Sequence, residues 1–149
     1  MIYLEADVSR QILPIVVNPG LPLGLIANTA GAIAIGLGAR LPALAARRLT
    51  DRRDRTIDIS SNQPVPVLQA DAEAIRALLL KALAQPPVEG VGERAVVPFP
   101  AFARSLHAYA EYEAAFPARD LGEEAIDGLG LAGPAKWVKS LTGSLKLLR

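Results

Sequence analysis

The stretch QILPIVVNPGLPLGLIANTAGAIAIGLGAR, residues 11–40, has no charged residue between Arg10 and Arg40, and the fold turns on how it is read. Ile12 to Val17 is apolar on both faces and rich in β-branched side chains, the pattern of a central strand covered by helices. Pro14 cannot donate to a ladder, so it belongs at the start of that strand or on a bulge. Asn18, Pro19 and Gly20 make a turn, and a helix begins near Pro22 or Gly24. Ile26, Ala30, Ile33 and Leu37 share one helical face; Gly24, Asn28, Gly31 and Ile35 share another. Both faces are apolar or small, so one is expected on the sheet and the other beneath a further element or a second subunit. Gly31 in a helix costs about 1 kcal/mol relative to alanine and is expected to permit a close backbone approach.

The same stretch approaches the roughly 20 apolar residues of a membrane span. Pro22, Gly24, Asn28, Thr29, Gly31, Gly36 and Gly38 leave it short of bulky side chains, and Glu5 and Asp7 do not suit a signal peptide. The expectation is therefore an interior helix of a soluble, cytoplasmic protein with no membrane partner. With 149 residues, 51% of them apolar and 21% charged, the chain fits one packed domain, residues 1–149. Sixteen basic residues against fifteen acidic ones give no reason to expect nucleic acid. The absence of cysteine excludes disulfides, thiol nucleophiles and thiolate metal sites.

Outward from this core, Ile2 to Leu4 could add an edge strand. Residues 47–60 alternate Leu49, Ile57 and Ile59 with polar residues around a charged tip, which predicts an inserted hairpin. Its arginines interleave with Asp51, Asp54 and Asp58 and have no aromatic neighbour to stack on a base, so a solvated hairpin is expected. Val65 to Leu68 reads as a strand near an edge. Asp71 caps a helix in which Ile75, Leu78, Leu79, Ala82 and Leu83 form one apolar stripe, ended by Pro86 and Pro87. Ala95 to Phe99 follows as a parallel strand in a crossover. A third helix, Pro100 to Phe116, carries Phe102, Tyr109, Tyr112 and Phe116, rings that would dock it to the sheet or place a tyrosine hydroxyl in a site. His107 reads as a surface residue, and the acidic loop from Arg119 to Asp127 is too irregular for a metal. Ala125 to Ala132 is a last internal strand; Pro134 suits the first position of a helix and Gly143 its C-terminal cap. The class is thus α/β: a single-domain three-layer α/β/α arrangement with a small mixed sheet.

The order Gly133, Pro134, a short helix, then Thr142, Gly143, Ser144, Leu145, Lys146, Leu147, Leu148 is similar to the C-terminal signature of type 2 peptidyl-tRNA hydrolases: Thr, Gly, His, Leu, Lys, Leu, Leu. Asn28 to Ala34, Pro64 to Leu68 and the pair Tyr109 and Tyr112 resemble an uncharacterised bacterial family catalogued as domain of unknown function number two thousand, which resembles a branch of that fold. The resemblance implies a lysine-bearing loop before the first helix, a Gln within it, and an Asp and a Thr after the third strand. Here the loop is Leu21 to Leu25, no lysine precedes Lys81, Asn28 stands in place of the Gln, Pro100 and the aromatic segment replace the third loop, and Ser144 replaces the His. The fold carries over; the esterase residues do not.

The reading that follows is a non-hydrolytic domain binding a small or anionic ligand, with a divergent hydrolase acting on peptidyl-tRNA as the alternative. The fold analogy puts the site beyond Val17, with Asn18, Asn28, Thr29 and either Tyr109 or Thr142 as polar groups. Asn28 either satisfies a backbone group or faces that cleft. Lys136, in a C-terminal segment whose charges (Lys136, Lys139, Lys146, Arg149) are all basic, is the candidate for an anion, although a solvated helix face accounts for it as well. No cofactor or metal is implied. A homodimer through the outer face of the first helix is expected.

Overall fold

The apolar run around Pro14 is two strands, not one. In the computed structural model, which describes residues 11–86 and 93–149, these are β1 (Gln11–Ile12) and β2 (Ile15–Val17). Both lie antiparallel to β7 (Ile126–Pro134) in one continuous register, from Gln11↔Pro134 to Val17↔Gly128. The Pro14 carbonyl accepts from the Leu131 N–H at 3.1 Å, but proline has no N–H with which to return the bond, so the ladder breaks there. The edge strand expected before Val8 and the loop at Gly90 and Gly92 lie outside the described residues.

The main sheet has six strands. β5 (Val67–Gln69) runs parallel to β2, β8 (Lys146–Leu147) runs antiparallel to β5, and β6 (Ala95–Pro100) lies antiparallel along the other side of β7. Strands β5 and β6 therefore point the same way, as the crossover expectation requires, but β2 and β7 stand between them. A separate two-stranded sheet, β3 (Arg48–Thr50) with β4 (Thr56–Asp58), forms the hairpin.

Helices cover both faces. On one, α1 (Leu23–Arg40) buries Thr29, Ile33 and Leu37 against Ile15, Val17 and Ala132. On the other, α2 (Ala72–Ala84) and α4 (Ala135–Thr142) bring Ile75, Leu79, Trp137, Val138 and Leu141 onto Val16, Leu129 and Leu131. Glycines of β7 set the height of α1: a Cβ at Gly128 would come within 2.6 Å of Thr29 Cγ2, and one at Gly130 would collide with Ile33. Asp71 caps α2 by accepting from the Ala74 N–H at 2.8 Å. Pro134 is the N-cap of α4, so the helix starts at Ala135, one residue later than expected, and Gly143 is its C-cap.

Three expectations need correction. First, α1 is not an interior helix. It is long and apolar enough to cross a membrane by length and composition alone, yet only 17% of it is buried, and its outer face carries Ile35 at 76% exposure. Second, Gly31 meets no close neighbour among the described residues, since a Cβ there would find nothing within 4 Å. Third, the aromatic segment is not one helix. A 3-10 turn (Ala101–Ser105) is followed by extended backbone at Leu106 and Ala108, and only then by α3 (Tyr109–Ala115). In a straight helix Phe102 and Tyr112 would sit about 15 Å apart; the break folds the chain back so that their rings stack at 5.6 Å. The rings thus pack mainly on one another, with Tyr112 and Phe116 at 5.7 Å, and no residue of α3 is fully buried.

Candidate functional site: a bulge and a groove

The β6–β7 ladder slips by one residue between Phe99↔Gly128 and Pro100↔Ile126, leaving Asp127 as the extra residue of a bulge. Its side chain is only 2% exposed, and both of its oxygens are taken by Arg104, from Nε at 2.5 Å and from Nη2 at 2.8 Å. This two-pronged pairing is the strongest geometry open to a guanidinium and a carboxylate. The hydrogen bond and charge of Asp127 raise the pKa of Arg104. The Asp127 carbonyl also accepts from the Asn18 N–H at 3.1 Å.

Of the sequence candidates, Asn18 and Thr29 meet at this bulge. Asn18 spends its Oδ1 on the Gly20 N–H at 3.0 Å, which shapes the turn into α1. Thr29 packs on Gly128, and its hydroxyl is buried without a partner among the described residues. Asn28 is exposed on α1. Tyr109 is 73% exposed and stacks on Tyr112; the hydrogen bond and charge of Glu113 raise its pKa. Thr142 and Lys136 lie on α4, across the sheet from α1. The Thr142 hydroxyl donates to the Val138 carbonyl at 2.9 Å, a bond internal to the helix, and Lys136 is exposed, as are Lys139, Lys146 and Arg149. The candidates therefore do not converge on one pocket. In sequence Asp127 and Arg104 look like parts of an acidic loop and of an aromatic helix; the available signal is an acid directly abutting the Gly-Leu-Gly-Leu strand.

The concave surface lies elsewhere. Because α1 sits over β6, β7 and β2, the same face of the sheet beside β2 and β5 is covered, among the described residues, mainly by the segment from Pro42 to Val65. A groove of about 630 Å³ remains, lined by Leu13, Ile15, Ala34, Ile35, Leu44 and Val65 among others, with Ser60, Ser61 and Gln63 along one wall and no charged side chain among the described residues. Its outer wall is fixed by Asn62, whose N–H and Nδ2 donate to the carbonyls of Leu44 at 2.8 Å and Ala43 at 2.9 Å. None of the candidates chosen from sequence lines it.

These features define a mixed α/β domain with one helix on the first face of its sheet, two on the second, and an apolar groove beside the single helix. The chain belongs to the family described as "Protein of unknown function (DUF2000)", whose model matches residues 13–149; this is the family likened above on Asn28 to Ala34. A solved protein of unknown function from Agrobacterium tumefaciens strain C58 has a similar fold, with TM-score 0.80 and 17% identity over 92% of this chain and 96% of that one. No curated protein matches the chain.

Proposed function

We propose that the protein is a non-hydrolytic binding domain whose ligand is a small, neutral and largely apolar molecule held in the groove between α1 and the segment 42–65. The observation that carries this reading is the groove itself. Its volume of about 630 Å³ falls within the roughly 300–1,000 Å³ of small-molecule pockets, and its lining has their composition, aliphatic with a few polar groups to one side. The lack of charge along the lining favours a neutral ligand over the anion that the basic C-terminal segment suggested. The bulge supports the non-hydrolytic half of the reading: Asp127, its buried carboxylate, is 2% exposed with both oxygens accepting from Arg104, so it turns almost no surface toward a water it could activate.

The relation to type 2 peptidyl-tRNA hydrolases is proposed as one of architecture. It is supported by the tail, in which Thr142 closes α4 and Lys146–Leu147 pairs with β5, and by the strand–turn–helix unit at β2 and α1.

The test is titration with Nile red, a neutral apolar dye whose fluorescence rises on leaving water. Saturable binding is expected for the wild type, and loss of binding with an unchanged melting temperature for Ala34→Trp, whose ring would fill the groove. Equal binding by both proteins would refute the assignment. Release of peptide from peptidyl-tRNA that depends on Asn28 would replace it with the hydrolase.

A further inference from the structure

The hairpin is two-faced. Leu49 pairs across the ladder with Ile57, and Ile59 continues that face, with its N–H donating to the Arg47 carbonyl at 3.2 Å. The opposite face carries the Arg48–Asp58 ion pair at 3.1 Å and the Thr50–Thr56 hydroxyl pair at 2.9 Å. A period-two pattern of this kind encodes one wet face and one covered face. Among the described residues the apolar face has no cover: Leu49 is 55% and Ile57 59% exposed. An isolated two-stranded hairpin is marginal in water, yet this one is held in shape at its tip, where Asp51 accepts from the Arg53 N–H at 2.8 Å, the Arg55 N–H at 3.0 Å and Arg55 Nε at 2.8 Å. Its base is fixed by Asn62. It is a pre-shaped arm with an apolar face turned to solvent.

The same chain also offers a surface of matching character. The groove is uncharged and open on the side where Ile35 stands at 76% exposure. We infer that a second copy of this chain closes it: in a two-fold dimer each hairpin lays Leu49 and Ile57 over Ile35 and the groove mouth of its partner. Three observations favour a second copy over another partner. The apolar arm and the apolar groove occur together on one chain, so a two-fold axis satisfies both at once. The arm's Arg48–Asp58 and Asp51–Arg55 pairs form within the hairpin and the groove lining carries no charge among the described residues; Arg47 at the base of the apolar face and Arg52, Arg53 and Asp54 at the tip are exposed and stay at the solvated rim of the contact. Each protomer contributes twice, by arm and by groove, along a helix about 27 Å long at 1.5 Å per residue, which is the way to reach the roughly 800 Å² per partner of a stable pair.

This inference rests on the reading of the groove as the binding site, since the partner's arm supplies the wall that the groove lacks. Its test needs no ligand. The wild type is expected to sediment at twice 15.7 kDa at micromolar concentration, and the double variant Leu49→Glu, Ile57→Glu at the single mass with unchanged circular dichroism, the exposed positions leaving the fold intact. A monomeric wild type would overturn the inference. As the chain has no cysteine, Ile35→Cys and Ile57→Cys proteins can be mixed and oxidised. A disulfide-linked pair enriched in the mixture over either protein alone is the expected result, and no enrichment would overturn the arrangement. Nile red separates the two readings: a dimer that binds no dye refutes only the ligand, whereas a monomer that binds it refutes only the closure.

Discussion

On one face of the sheet α2 and α4 lie side by side and close over Val16, Leu129 and Leu131, each fully buried; on the other, among the described residues, α1 is the one α-helix, over β6, β7 and β2. The path β6–β7–β2–β5–β8 is about 19 Å wide at 4.8 Å per strand, and a helix with its side chains covers only about 10–12 Å. Two helices therefore finish a face and one does not. On the proposed reading, the difference teaches where to look for binding in this chain: in the space a second helix would have filled, and not at the tightly packed start of α1. Changes in the closed parts should be read as lost stability, and changes in the open part as lost binding.

The largest effect is expected at the bulge, the most tightly closed polar point. Arg104→Ala leaves the Asp127 carboxylate buried and unpaired, and breaking such a pair from the exposed partner's side costs about 3–5 kcal/mol. Urea unfolding reads this directly. A cost below about 1 kcal/mol would mean that water already reaches Asp127 and that this end of α1 is open too. Next come matched truncations on the two faces. Leu79→Ala under α2 removes a side chain that is 0% exposed and should cost about 2–5 kcal/mol. Leu44→Ala, which borders the groove, should fall at or below the low end of that range because its cavity merges with solvent. Equal costs would erase the distinction between the faces.

Much of this asymmetry is legible in the sequence and some is not. The start of α1 follows from short-range patterns, and the structure has it; the strand from Ile12 is there but split at Pro14, and the stripe of α2 is there through Ile75, Leu79 and Ala82, with Leu83 left exposed. The buried stripe of α1 is legible through Ile33 and Leu37, but what covers its outer face is not, because apolar composition cannot say whether a neighbour comes from the same chain or from a second subunit. The aromatic segment has helical spacing, and no proline or glycine marks the break at Leu106 to Ala108; stacking between rings ten residues apart is a tertiary effect that no local signal carries. The groove is invisible for the same reason. It arises from the absence of a helix, and its lining comes from β1–β2, α1 and the 42–65 segment, brought together only by the fold. Asp127 escapes because a bulge needs a partner strand before it can be counted.

Gly130→Ala tests what sets the height of α1. The added methyl would collide with Ile33 and come within 3.0 Å of Leu37, so the helix must rise or the side chains must leave their rotamers, at about 1–3 kcal/mol. Nile red binding should change as well, since Leu37 also lines the groove. Lost stability with unaltered binding would show that the groove does not depend on the height of the helix.

The smallest effect has the opposite sign and uses the same chemical change on the other side of the same helix. Gly31 lies mid-helix and exposed, and a methyl added there would meet nothing within 4 Å. In the isolated chain Gly31→Ala should therefore stabilise by about 0.5–1 kcal/mol, through helix propensity and a less flexible unfolded state. Gly130→Ala destabilises because its methyl has no room, and Gly31→Ala stabilises because its methyl has all the room it needs. The pair measures the two sides of α1 with one probe. Gly31 is one turn from Ile35, so the measurement is best made in the Leu49→Glu, Ile57→Glu background, where the arm cannot bind, and repeated in the wild type. A gain in the first that shrinks or reverses in the second would show that a partner's surface comes down on this turn of the helix, and would supply the close approach that the chain alone does not make at Gly31. A gain of equal size in both would confine the partner's arm to Ile35 and the groove mouth.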